Sequence, residues 1–118
     1  MPRYPGLLLR ILAKDHPAMG PGKAQLVELI DATGSISAAA REMGMSYRRA
    51  WQLVDALNSS FTEPVVQTAV GGKSGGGAVV TEFGREIVAR FRAIEHKASA
   101  AIDSDVRRFN AQLRKPFS

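Results

Sequence analysis

The stretch GGKSGGG, residues 71–77, contains the residue types that could most directly bind a phosphate group. A phosphate-binding loop of a nucleotide hydrolase has the spacing G-x-x-x-x-G-K-[ST] and joins a strand to a helix. Gly72, Lys73 and Ser74 match the end of this motif, but Gln67 stands where its first glycine is required. More glycines follow where the helix should begin, and glycine is a poor helix former. The stretch therefore predicts a flexible basic loop and not a nucleotide hydrolase.

Other residues that could carry out catalysis or bind a metal are scarce. The chain has no cysteine, and its two histidines, His16 and His96, lie far apart in the sequence. Metal sites need several ligands at close spacing, so we expect neither a metal nor a cofactor. Glu82 and Glu86 are one helical turn apart, which is typical of a solvated helix face, and no nucleophile–base set accompanies them. The sequence predicts that the protein is not an enzyme.

Residues 46–58, SYRRAWQLVDALN, have the pattern of an amphipathic helix, which we call the reading helix. At 100° per residue its apolar side chains form one stripe, and Arg48 and Gln52 project from the opposite side. Arginine and glutamine can read base edges, and a helix N-terminus attracts phosphate. An ordinary solvated face is the alternative. The candidate DNA contacts on this helix are Ser46, Tyr47, Arg48, Arg49, Trp51 and Gln52.

A short alanine-rich helix is predicted directly before the reading helix. Ser37 is a suitable N-cap for it, Gly44 can end it in the left-handed conformation, and Ser46 can cap the reading helix two residues later. Two capped helices joined by a short turn make residues 37–58 a candidate helix-turn-helix, with Ser37 and Arg41 as further DNA contacts. The alternative is a plain helical hairpin in a bundle.

Two short segments rich in β-branched residues flank the glycine stretch. We interpret residues 65–80 as a β-hairpin with a basic tip, in which Lys73 and Ser74 contact DNA. A hairpin that follows a helix-turn-helix is called a wing. The predicted fold is mainly α with a small β-hairpin (α+β), of the winged helix-turn-helix type.

The remaining elements are predicted at the two ends of the chain. The apolar run at residues 6–13 indicates a strand, and residues 21–33 have the spacing of a helix. Residues 81–114 read as one long C-terminal helix, longer than a small core can cover. Part of its apolar stripe should therefore meet a second copy, although a fold-back after a break near Ser99 or Ser104 is the alternative. The candidate dimerisation residues are Ile94, Ala98, Ile102 and Val106.

The length and net charge of the chain limit its possible domain organisation and partners. The chain has 118 residues, of which 45% are hydrophobic, and is predicted to form one domain over residues 1–118. Its formal net charge of +5 favours a polyanionic partner. No apolar run approaches the ~20 residues of a membrane-spanning helix, so a cytoplasmic location without a membrane partner is expected.

Two long segments resemble the N-terminal winged-helix domain of the ModE family, the molybdate-responsive transcription regulators of bacteria. They are GSISAAAREMGMSYRRAWQLVDALN at residues 34–58 and EPVVQTAVGGKSGGGAVVTEFGREIV at residues 63–88. SYRRAW and the GGKxGGGA pattern are the most specific parts, whereas SISAAA is shared with LysR-type regulators. The resemblance covers roughly residues 6–95.

The resemblance implies a homodimer that binds double-stranded DNA at a two-fold operator. The reading helix would lie in the major groove, and the wing at residues 70–78 would contact the backbone or the minor groove. Full-length members carry β-barrel molybdate-binding domains after this region, and no further strands precede Ser118 here, so direct molybdate binding is not expected. An alternative function is a protein-interaction module or antagonist that pairs with a full-length regulator through the C-terminal helix.

Overall fold

A computed structural model describes residues 7–69 and 77–114 of the chain. The architecture is α+β: helices dominate, and two small antiparallel sheets of two strands each complete it. The elements in chain order are β1 (Ile11–Leu12), β2 (Pro17–Met19), α1 (Pro21–Thr33), α2 (Ile36–Met43), α3 (Tyr47–Ser60), β3 (Val66–Ala69), β4 (Gly77–Val80), α4 (Glu82–Ala101) and α5 (Asp103–Asn110).

The N-terminal strand is shorter than predicted, and it has a partner that the sequence did not reveal. Residues 6–13 were expected to form one strand, but in the described part of this range, residues 7–13, only Ile11–Leu12 do, and they pair antiparallel with Pro17–Met19. The chain reverses because the Ala13 N–H donates to the His16 carbonyl at 2.8 Å. Met19 is 2% exposed and enters the core. Burial of this side chain explains why the residues that follow the chain reversal form a second strand.

Local signals account for both ends of α1. Proline at position 21 begins the helix, where its missing N–H costs no intrahelical hydrogen bond. Gly34 ends it with φ 72°, a left-handed conformation that favours glycine, and donates its N–H to the Ile30 carbonyl at 2.7 Å. The helix spans residues 21–33, the range that the sequence predicts.

The core lies where α1, α2 and α3 meet the β3–β4 hairpin and the first half of α4. Gly84 lets α4 approach β3 closely, because a Cβ added there would collide with the Val65 carbonyl oxygen. The largest fully buried side chains are Phe91, Met19, Leu26, Ile30, Ile36 and Leu57.

The C-terminal helix is interrupted, so the prediction of one helix over residues 81–114 is corrected. Ile102 has φ −114° and ψ 14°, which leaves the helical region and separates α4 from α5. Asp103 and Asp105 then occupy the first turn of α5, where carboxylates stabilise a helix N-terminus. None of the α5 residues is buried, so the break does not return α5 to the core.

Over the residues described, no helix combines the length and the apolar character needed to cross a membrane.

Candidate nucleic-acid interface

Helices α2 and α3 are joined by a tight turn whose geometry local residues set. Gly44 ends α2 with φ 70°, and its N–H contacts the carbonyls of Ala40 and Arg41. Ser46 caps α3, where its hydroxyl accepts a hydrogen bond from the Arg49 N–H at 3.0 Å. The first turn of α3 is therefore held in a defined direction relative to α2, because each helix end is satisfied within the turn.

The N-cap of α2 is Ser35, which corrects the prediction of Ser37. The Ser35 hydroxyl accepts from the Ala38 N–H at 3.0 Å, and its backbone is extended. Ile36 is 1% exposed and begins the helix, so burial of this side chain moves the helix start two residues earlier than the sequence predicted. Ser37 is exposed within α2, as is Arg41.

The reading helix, α3, presents a polar face at its N-terminal half. Arg48, Arg49 and Gln52 are exposed, and Tyr47 is 49% exposed. The opposite side, which includes Val54, is buried in the core. The helix therefore holds two guanidinium groups and an amide on a surface that its own packing keeps facing solvent.

The two aromatic residues of α3 differ in their surroundings. Trp51 is half-buried and packs against the core, whereas Tyr47 reaches further into solvent. Their rings meet edge to face, with centroids 6.3 Å apart and an interplanar angle of 82°. Such pairs prefer this geometry, so Trp51 supports the orientation of Tyr47 at the start of the helix.

Strands β3 and β4 form the predicted hairpin. The register pairs Val66 with Val80 and Ala69 with Gly77. Beside it, the Ala78 N–H donates to the Gly34 carbonyl at 3.0 Å, which ties the hairpin to the region between α1 and α2. The predicted contacts Lys73 and Ser74 belong to the connection at residues 70–76, which lies outside the described residues.

Asn58 positions the hairpin relative to the reading helix, and the sequence interpretation missed this role. Its side-chain oxygen accepts from the N–H groups of Val65 and Val66 at 2.7 and 3.1 Å. Its side-chain nitrogen donates to the Val66 carbonyl at 2.9 Å. An asparagine in the last turns of a helix before a predicted strand was the available signal, because such a side chain can satisfy both a donor and an acceptor.

Two ion pairs join α1 to α4, whereas the arginines of the reading face have no such partner among the described residues. Arg85 contacts Asp31 at 3.0 Å, and Arg92 contacts Glu28 at 2.9 Å. The pKa of Arg92 is raised, chiefly by its hydrogen bond to Glu28. Within residues 7–69 and 77–114, no ion pair involves the arginines at positions 41, 48 and 49. Those cations remain available to an external anion.

The stripe predicted for dimerisation is partly exposed. Ile94 is 42% exposed on α4, while Ala98, Ile102 and Val106 are half-buried. Beyond them, Phe109 is 70% exposed. The stripe continues along α4 and α5 as apolar surface that the core does not cover.

His16 makes a contact that superficially resembles a catalytic arrangement. Its ring nitrogens lie 2.9 Å from Asp15 and 3.1 Å from the Ser60 hydroxyl. The Ser60 hydroxyl, however, donates to the Ala56 carbonyl at 2.7 Å, so its proton is directed at the backbone and not at the histidine. The pKa of Asp15 is lowered, first by its hydrogen bond to His16. In the part of the chain that the structure describes, no three His, Asp or Glu side chains cluster as metal ligands.

No protein-family model matches the chain. Curated proteins do match most of it. The molybdenum-pterin-binding protein MopB of Rhodobacter capsulatus is 45% identical over 94 residues, which cover 80% of this chain and 35% of MopB. The molybdenum transport protein ModE of Azotobacter vinelandii is 39% identical over 93 residues, covering 79% and 34% of the two chains.

A third relative is named as a DNA-binding protein. The DNA-binding transcriptional dual regulator ModE of Escherichia coli (strain K12) is 31% identical over 97 residues, which cover 82% of this chain and 37% of the regulator. The chain thus spans about a third of the length of the curated relatives it matches. Its relatives are molybdenum-pterin-binding proteins and ModE regulators, and this similarity supports the ModE/Mop family for the chain.

Proposed function

We propose that the chain is a sequence-specific, DNA-binding transcription regulator of the winged helix-turn-helix type. In this proposal α2 and α3 form the helix-turn-helix, α3 enters the major groove, and the β3–β4 hairpin is the wing. Several relatives named ModE are described as transcription regulators, one of them as DNA-binding, which favours this function over others that a basic domain could have.

The observation that carries the proposal is the polar face at the start of α3. Arg48 and Gln52 are exposed on a helix whose other side is buried and whose first turn is capped by Ser46. A rigid helix with arginine and glutamine on its free face can form bidentate hydrogen bonds to guanine and adenine. The N-terminal end of the same helix adds backbone N–H groups for phosphate.

The proposal includes a homodimer formed through the apolar stripe of α4 and α5. Ile94 and Phe109 expose large apolar side chains along this stripe, and apolar patches on a surface mark sites of protein–protein contact. A two-fold dimer would present two reading helices to the two halves of an operator. Residues 37–58 and 65–80 would then be the DNA-binding region of a domain that covers residues 1–118.

Selection of bound sequences from random duplex DNA, followed by gel shift, tests the proposed function. Wild-type protein should select a two-fold site, and Arg48→Ala should weaken binding to that site by about 1–3 kcal/mol while relaxing discrimination at one base pair in each half-site. Arg90→Ala is the matched control, because Arg90 is an exposed arginine paired with Glu86 on α4. Equal losses for the two variants, or failure of the wild type to bind duplex DNA, would exclude the reading-helix assignment.

The exposed stripe also favours a second candidate, a protein-interaction module that pairs with a full-length regulator through α4 and α5. Such a module would form a mixed complex with the regulator and would not bind duplex DNA by itself. The same gel shift on the isolated chain therefore separates the two functions.

A further inference from the structure

A cleft of about 600 Å³ lies between the N-terminal hairpin, the beginning of α1 and the reading helix. Arg10, Lys23 and Arg49 line it, each from a different segment of the chain. Its apolar wall includes Met45 and Leu53. The volume falls within the range of roughly 300–1,000 Å³ that is typical of small-molecule sites.

Local contacts place these three residues at the cleft. The stem of Arg10 lies against Gly20, since a Cβ added at Gly20 would come within 3.3 Å of the Arg10 Cγ. The Lys23 ammonium donates to the Pro17 carbonyl at 2.7 Å, which directs the side chain towards the hairpin. Arg49 stands in the first turn of α3, where its N–H binds the Ser46 hydroxyl. The cleft therefore brings together cations from three separate segments of the chain.

The positive charges of the cleft lack compensation within the described part of the protein. No carboxylate is among the described residues that line the cleft, and none of the ion pairs of residues 7–69 and 77–114 involves Arg10, Lys23 or Arg49. The pKa of Lys23 is lowered, first by its partial burial and then by the charges of Arg49 and Arg10.

Two arginines of α4, in contrast, are compensated by carboxylates. Arg85 and Arg92 each contact a carboxylate on α1, across the interface between α1 and α4. On an ordinary basic surface, the cations are spaced apart in solvent. Here three cations line one cleft, where they repel each other. Such repulsion is relieved when an anion occupies the volume, because each cation then gains an opposite charge at close range.

We propose that this cleft is a binding site for a phosphate-type oxyanion, with Arg10, Lys23 and Arg49 as its ligands. Guanidinium and ammonium groups that line one cleft suit the negatively charged oxygens of a phosphate group. His16 also lines the cleft but is already engaged with Asp15 and Ser60, so it contributes to the wall and not to the ligand set.

The phosphate group has two possible sources that share this chemistry. It is either a backbone phosphate of bound DNA or the phosphate of a free small molecule. Arg49 belongs to both the cleft and the reading helix, so the cleft lies beside the proposed DNA-contacting surface. Only the first source, a backbone phosphate of DNA, rests on the proposed function. Binding of a free phosphate does not require the protein to bind duplex DNA.

The first experiment titrates the protein with inorganic phosphate at constant ionic strength, with chloride replaced as phosphate is added, and follows amide signals by NMR. Wild-type protein should show saturable shifts at Gly22 and Lys23. Arg10→Gln and Lys23→Gln should weaken phosphate binding about tenfold or more, the loss expected for one charge-assisted hydrogen bond. Lys97→Gln is the matched control, since Lys97 is exposed on α4 and does not line the cleft. The affinity of this variant for phosphate should match that of the wild type.

The second experiment repeats the titration in the presence of a saturating DNA duplex. If the duplex competes with phosphate for the wild type, and this competition is lost in Lys23→Gln, the DNA backbone is the source of the phosphate group. Phosphate binding that persists on the DNA complex identifies a free ligand. Linear shifts without saturation, or equal weakening by Lys23→Gln and Lys97→Gln, would overturn the proposed site. If the wild type binds phosphate but no duplex, the proposed function fails and the site remains.

Discussion

The side-chain oxygen of Asn58 accepts the backbone N–H of Val65 at 2.7 Å, which joins the end of the reading helix to the beginning of the β3–β4 hairpin. Because the same side chain also pairs with both backbone groups of Val66, one residue sets the geometry between the two parts of the proposed DNA-binding surface. The relative position of helix and hairpin is therefore a property of this contact and not of the connecting loop alone.

We expect Asn58→Ala to lower the free energy of unfolding by about 1–3 kcal/mol, because two buried N–H groups lose their acceptor. Urea denaturation followed by circular dichroism measures this change. Asn58→Asp keeps the acceptor for the two N–H groups but sets a carboxylate oxygen against the Val66 carbonyl, so it should also lower stability. Ser59→Ala, at an exposed neighbouring position, is the control and should leave stability unchanged. An unaffected Asn58→Ala variant would show that the contact does not position the hairpin.

The start of α2 offers a test of which serine is the cap. Ser35→Ala should reduce stability by about 1 kcal/mol, since the Ala38 N–H loses its side-chain acceptor. Ser37→Ala should leave stability nearly unchanged, although it should weaken DNA binding if Ser37 contacts DNA as the sequence predicts. Thermal unfolding and gel shift of the same two variants separate these roles. A larger stability loss for Ser37→Ala than for Ser35→Ala would show that Ser37 is the N-cap of α2, as the sequence predicted.

The proposed dimer depends on the apolar stripe of α4 and α5. Ile94→Glu should yield a folded monomer, because Ile94 is 42% exposed within one chain yet would place an unpaired carboxylate in the interface. Sedimentation velocity gives the oligomeric state, and circular dichroism verifies the fold. Ala100→Glu is the control, since Ala100 is exposed on the opposite side of α4 and should tolerate the charge.

A dimer that survives Ile94→Glu would point to another interface. The N-terminal hairpin is the next candidate, because Leu8 and Leu12 also expose large apolar side chains.

We expect the chain to show no preference for molybdate over sulfate. Selection between tetrahedral dianions requires a closed set of convergent donors, whereas flexible lysine and arginine side chains at an open cleft respond mainly to charge. Calorimetry with molybdate and with sulfate compares the two affinities, and a gel shift checks that molybdate leaves DNA affinity unchanged. A saturable exotherm with molybdate and none with sulfate would reveal a selective site.

The sequence by itself determined the features that depend on neighbouring residues. Gly34 and Gly44 end their helices in the left-handed conformation, and Ser46 and Thr81 cap the helices that follow, as their residue types indicate. These outcomes are local, because a cap or a left-handed glycine involves only the backbone within one helical turn. The amphipathic pattern of the reading helix likewise separated its buried stripe from the face that carries Arg48.

Only the tertiary structure decided which of several locally acceptable options the chain takes. Burial of Met19 extends the N-terminal segment into a second strand, and burial of Ile36 moves the α2 cap to Ser35. The cleft depends on contacts between segments that are distant in sequence, which bring Arg10 and Arg49 to one place. The spacing of residues along the chain does not predict this proximity, because core packing, and not local preference, determines which segments become neighbours.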